Sequence, residues 1–188
     1  DYKSKTDKID AQKLAQMSLE RDLPKWEPPS NEMLKIKRLS RERAELMDTL
    51  AAFKNRRHAK KHAYKPQSGS LSRSKKSINF LQKQVTEIER ELAQLVKQDD
   101  FLRPRIEQVC SITGVGFITA ITVVAEANGF DLFKNKAQLV CYAGYDVIQR
   151  QSGTSILGAT KISAKGNHRI RKALHLSLIH ISEPTRPY

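Results

Sequence analysis

Between Lys75 and Lys97 the residues Ile78, Leu81, Val85, Ile88, Leu92 and Leu95 follow one another at alternating steps of three and four. This is a heptad seam, an apolar stripe too narrow to bury itself, so the segment must be a helix laid against another helix. A second helical pattern runs from about Asn31 to Ala63, where Ile36, Leu39, Leu46, Leu50 and Phe53 stand at steps of three, seven, four and three. Arg43 occupies one position of that imperfect seam. The polar stretch "YKPQSGSLSRS" separates the two. An antiparallel hairpin within one chain or a coiled coil between chains would satisfy both seams, and the seam residues need no role beyond packing.

The flanking sequence completes a mainly α chain. Residues 4 to 21 carry Ile9, Leu14 and Met17 at helical spacing, with Ser4 or Thr6 placed to cap. The prolines of "DLPKWEPPSN" end that helix, and Trp26 is expected to pack this linker onto a neighbour. Residues 105 to 145 hold the densest apolar sequence. One helix there is expected to end at Gly114, a second to run through Ala120 to Glu126, and a third to span about Asn135 to Tyr142 before Gly144 stops it. An irregular hairpin with turns at Gly153 and Gly158 follows, then a basic amphipathic helix capped by Asn167. The final "LIHISEPTRPY" breaks the helical pattern and reads as translated sequencing-adapter sequence, a non-native tail over 177–188.

Charge narrows the partners. Lys and Arg number 34 against 20 Asp and Glu, a formal net charge of +14. Ten basic residues and no acid lie between Asp48 and Glu87, and six basic residues and no acid between Asp146 and Glu183. Two basic surfaces follow, either plain solvated helix faces or contacts for nucleic acid. Cys110 and Cys141 stand in apolar sequence without the spacing of a zinc site or a disulfide framework. No eighteen-residue apolar run and no signal-peptide pattern occurs, so no membrane partner is expected and the expected location is the cytoplasm. The chain opens on Asp1, which is read as the start of a fragment.

Three constellations could carry chemistry. Asp7 and Asp10, three apart on a helix, put two carboxylates on one face, about 5–6 Å apart at Cβ. They suit a divalent metal. They equally suit the first turn of any helix, where the macrodipole favours an acid by about 0.3–1 kcal/mol. In "SITGVGFITA", Gly114 and Gly116 flank Val115 between apolar helices, either an ordinary tight turn or a helix-hairpin-helix whose exposed amides meet a phosphate. Ser152 stands before Gly153 with Arg150, Lys161 and Lys165 nearby in sequence and no acid close. Such cations would assist a serine attacking a phosphate, although Ser-Gly is also a common turn.

Taken in order, "KTDKIDA", the coiled-coil segment, "ITGVGFITA", "FKNKAQLVCYAGY" and "QSGTSILGATKISAKGNHRIRKAL" resemble the insertion-sequence one-ten (IS110-type) transposase family. The resemblance implies residues 1–30 as the end of an RNase H-like (RuvC-like) domain with its C-terminal helix and linker. It further implies a coiled-coil helical hairpin over 31–100 and a small helical transposase domain with a helix-hairpin-helix-like element over 101–176.

The implied activity is DNA cleavage and rejoining, with Ser152 as nucleophile and Asp7 and Asp10 as the last two acids of a DEDD set holding Mg2+. The first two acids of that set would lie upstream of residue 1, so the fragment itself is expected to be inactive. Thr113 stands where the family often has proline. The implied partners are element and target DNA, a structured bridge RNA, and further copies of the chain, a dimer to tetramer sharing active sites. Association with the bacterial nucleoid goes with these. Gly114, Gly116, Arg150, Lys161, Lys165, Arg169, Arg171 and Lys172 would contact nucleic acid. Two alternatives remain at this level: a basic coiled-coil protein that binds nucleic acid without catalysis, and a RuvC-like nuclease that uses water rather than serine.

Overall fold

The computed structural model describes residues 6–21, 28–148, 151–152, 156–157 and 160–182, the side chains of 151–152, 156–157 and 176–182 excepted. It is mainly α. The first helix, α1 (Asp7–Glu20), starts where the Thr6 hydroxyl accepts a hydrogen bond from the Ile9 amide, and it buries no residue. Ser30 caps α2 (Asn31–Lys61) in the same way through the Met33 amide. The third helix, α3 (Ser68–Gln98), begins seven residues before the seam alone would place it, because "SGSLSRS" joins the helix rather than the loop. Trp26 lies outside the described residues.

Helices α2 and α3 lie against each other, so both seams are met within the chain, the hairpin alternative of the two. Ile36 and Leu50 of α2 are buried, as are Ile78, Val85, Ile88 and Leu92 of α3. At the end of α3 Val96 is buried in place of the seam residue Leu95, which is half-buried. The polar seam position is resolved by an ion pair: the Arg43 guanidinium donates to the Glu89 carboxylate across the hairpin at 2.7 Å.

The core at the base of the hairpin continues past residue 100. Met33, Ile36, Ile88, Leu92 and Val96 form one core with Leu102 and Ile106 of α4 (Leu102–Cys110) and with Ala120, Ile121, Val124 and Ala125 of α5 (Phe117–Glu126). The change of sequence pattern near residue 100 therefore falls inside a continuous core. Helix α5 is apolar almost all round and is buried accordingly. Where it crosses α2, Ser40 is buried and its hydroxyl meets that of Thr122 at 3.2 Å. Thr122 already donates to the Ile118 carbonyl, so Ser40 is the donor between them. Two small polar residues at the crossing let the helices approach closely.

A second, smaller cluster joins Val123 of α5 to Ala143 of α6 (Lys136–Ala143) and Ile170 of α7 (His168–Ser182). Gly144 caps α6 with φ +74, and a Cβ there would stand 2.5 Å from the Arg171 guanidinium and 2.9 Å from the Lys165 carbonyl oxygen. Gly166, at φ +146, would collide with the Tyr142 carbonyl oxygen if it carried a side chain. These two glycines let the chain return to α6 before α7 begins. The Asn167 side chain caps α7 by accepting from the amides of Arg169 and Ile170. The backbone of α7 continues to Ser182, so the stretch after Ser177 does not break the helix where the sequence pattern breaks. Helix α4 ends at Cys110, four residues before Gly114. No helix among the described residues is long and apolar enough to cross a membrane.

Leu92 is 1 % exposed at the centre of the larger core. Leu92→Ala should destabilise the fold by about 2–5 kcal/mol, read from the shift in a urea unfolding midpoint.

Candidate functional site

Between α6 and α7 the chain leaves the helical body as an arm of two short antiparallel ladders. Near the body, β1 (Val147–Ile148) pairs with β4 (Lys161–Ile162); beyond it, β2 (Gln151–Ser152) pairs with β3 (Ile156–Leu157), with Ser152 opposite Ile156. The two pairings are nested, β2 with β3 inside β1 with β4 in chain order, and the turns expected at Gly153 and Gly158 lie outside the described residues. Its root is fixed by four hydrogen bonds. The Ser163 amide donates to the Asp146 carbonyl at 2.8 Å and its hydroxyl to the Asp146 carboxylate at 2.5 Å. The Ala164 amide donates to Gly144 and the Asn167 amide to Tyr142.

Ser152 therefore ends β2 on the outer ladder, opposite Ile156, and nothing is described of its side chain. Lys161 and Lys165 on the returning strand and its exit are exposed and carry no ion pair among those described. Arg150 lies outside the described residues.

The other basic residues near the arm are engaged internally. The Arg171 guanidinium donates to the Ala143 carbonyl at 2.6 Å and so satisfies the end of α6. The Lys172 ammonium meets the Asp48 carboxylate of α2 at 2.7 Å. Arg169 turns toward Glu126, 4.0 Å away.

Glu126 is what reading the sequence missed. It ends the apolar helix α5 and is 1 % exposed. Arg41 of α2 donates to both of its oxygens, at 2.7 and 2.9 Å, and the Asn167 amide group donates at 2.9 Å. Lys37 stands 3.9 Å away, and the Tyr142 hydroxyl donates to the Glu126 carbonyl. Burial works to raise the carboxyl pKa, but the hydrogen bonds from Arg41 and Asn167 and the charges of Arg41 and Lys37 outweigh it and hold the group below its ordinary value. The same hydrogen bond from Arg41 raises the guanidinium pKa against its own desolvation. A signal was available: a lone acid closing "AITVVAE" has to find cations once that helix is buried.

Asp7 is exposed and Asp10 half-buried in the first turn of α1. Every hydrogen bond described for α1 lies within the helix and its cap. Among the described residues no group of three or more His, Cys, Asp or Glu is placed to hold a metal ion. Two carboxylates are the right hard-oxygen donors for a divalent cation but fill only part of its coordination shell. Gly114, at φ +83, turns the chain between α4 and α5, and the exposed Gly116 caps α5 with open space around its Cα. The structure does not join α1, the glycine turn and the arm into one cleft by any described hydrogen bond or ion pair.

Residues 106–187 match the family model described as Transposase IS116/IS110/IS902 family, and residues 1–64 match a DEDD-type transposase model of the same group. The chain belongs to the IS110-type transposase family. It is also 26% identical over 180 residues to the pilin gene-inverting protein of Moraxella bovis, and equally to that of Moraxella lacunata. Each match covers 96% of this chain and 54% of the relative. The chain thus spans about half the length of the curated relatives it matches.

Arg41→Ala would leave the buried carboxylate with only the more distant cations. It should lower stability by about 1–3 kcal/mol in urea unfolding, less than for a wholly buried pair because Arg41 is partly exposed. The folded Glu126 carboxyl titrates below its ordinary value of 4.5, so the unfolded chain takes up the proton first as pH falls. Stability present above that value is then lost through the folded pKa. Glu126→Gln removes this component, and its melting temperature should decline less steeply with acidification than that of the wild type.

Proposed function

We propose that this chain is part of a recombinase that cleaves and rejoins DNA strands. The observation that carries the reading is the arm: in a member of a transposase family, Ser152 ends the outer ladder of a rooted hairpin whose returning strand and exit present Lys161 and Lys165. The Ser152 hydroxyl would attack a strand phosphorus. A serine–phosphate ester forms as the bond to one sugar oxygen breaks, and the departing oxygen takes up a proton. The reverse attack by a sugar hydroxyl rejoins a strand and frees the serine. Lys161 and Lys165 would offset the charge that develops on the phosphate oxygens.

Asp7 and Asp10 would supply two ligands to Mg2+, completed by groups outside the described residues; the ion's chemistry there is to neutralise phosphate charge. The acid-free end of the α2–α3 hairpin, with Lys54, Arg56, Lys61, Lys65, Lys75 and Lys76 exposed, would hold DNA backbone. The amides around Gly114 and Gly116 would add a phosphate contact. A structured guide RNA and further copies of the chain, sharing active sites, complete the reading. Arg169, Arg171 and Lys172 serve the fold before they serve a ligand. Within a bacterial cell such a protein would act at the nucleoid.

The test uses a protein carrying this sequence at the full length of its relatives, labelled element DNA and Mg2+. Denaturing gels should show a covalent protein–DNA adduct that Ser152→Ala abolishes while DNA binding is retained. Replacing Lys161 and Lys165 together by Ala should slow adduct formation about 10–100-fold. Cleavage that persists without an adduct would point to water as nucleophile and overturn the serine role.

A further inference from the structure

Two aromatic side chains interrupt the cationic hairpin in a way its packing does not require. Phe80 on α3 is 60 % exposed although its neighbours Ile78 and Leu81 serve the seam. With Phe53, Lys76, Ser77 and Leu81 it lines an open recess of about 430 Å3. The Arg56 guanidinium lies over the Phe53 ring, 5.7 Å from its centroid. At the turn, Tyr64 is 91 % exposed, with the Lys65 ammonium 5.3 Å from its ring centre.

The recess is therefore apolar at its floor and cationic around it, in a stretch of 38 residues, Thr49 to Thr86, that contains no acid. A second copy of the same surface would set cations against cations. A DNA duplex satisfies the cations but keeps its base faces stacked inside. An unpaired strand offers both phosphates and flat apolar faces, which is the combination the recess fits.

We propose that the side of the hairpin around Phe53 and Phe80 binds unpaired DNA, one base stacking on Phe80 while Lys76, Arg56 and their neighbours hold the flanking phosphates. This rests on the DNA-binding reading above and names the form of DNA that this surface takes. Strand exchange exposes such single strands, and the basic hairpin would hold one away from its complement.

The experiment measures fluorescence anisotropy of the full chain with a labelled thymidine homopolymer, a uridine homopolymer and a mixed-sequence duplex. Phe80→Leu keeps the helix and an apolar side chain but removes the stacking face. It should weaken binding of the thymidine strand by about 5- to 100-fold and leave duplex binding nearly unchanged, whereas Phe80→Trp should retain the strand. Loss of both ligands equally on Phe80→Leu, or no loss of either, overturns the inference while the DNA-binding reading stands. Failure of the wild type to bind any of the three overturns both. A uridine strand bound much more tightly than thymidine assigns the surface to RNA and overturns the choice of DNA. If sedimentation shows that Phe80→Leu dissociates an oligomer, the recess is an interface between copies and the inference falls.

Discussion

The carboxylate of Glu126 is the point at which the rest of the fold meets. Helix α5 is apolar on nearly every side and is covered by α2, α4 and α7, so a charge at its end has no route to water. Such a group is tolerated only when fixed donors replace its hydration. Arg41 brings α2 to it, and Asn167 brings the start of α7. Asn167 does two tasks with one amide group, since its oxygen caps α7 while its nitrogen binds Glu126. One buried acid thus fixes the start of α7, while Ile170 in the smaller cluster and the Arg171 bond to α6 hold its course.

This arrangement changes how the net charge of +14 should be understood. Cations near the arm divide into two groups. Arg171 ties off α6, Lys172 reaches α2, and Arg169 faces Glu126, so each has a contact within the chain. Lys161 and Lys165 face solvent, as do most cations of the hairpin. A count of basic residues predicts a polyanion partner, but only their contacts tell which of them are available to it.

Much of the fold was legible because its signals are local. The heptad steps from Ile78 to Leu95 required a partner helix, and α2 supplies it. Thr6, Asn167 and Gly144 cap the helices they were expected to cap, because a cap depends on a few neighbouring residues. What escaped notice depends on residues far apart in sequence. Arg41 and Glu126 are separated by 85 positions, and Asn167 lies a further 41 beyond. Nothing in the spacing of Arg169 and Arg171 distinguishes a cation facing a phosphate from one facing a carbonyl of α6. The limits of α3 and α7 also moved, since helices extend through residues that carry no apolar period once their backbone hydrogen bonds can continue. For Asp7, Asp10 and Ser152 the sequence was more informative than the geometry, because the described contacts join none of them to another.

The hairpin grows out of the core rather than being hinged to it. At a rise of 1.5 Å per residue the 31 residues of α2 are about 46 Å long. Ser40 and Arg41, which fasten it to α5, sit roughly 15 Å from its start. Asp48, further along, is held by Lys172 of α7, and beyond it the hairpin is a cantilever. A load on its far end acts with a long moment about these fastenings and loads the Asp48–Lys172 pair first, then the bonds to Thr122 and Glu126. Glu126 also holds the start of α7, so a force applied at the remote basic turn would be transmitted to the root of the arm that carries Ser152.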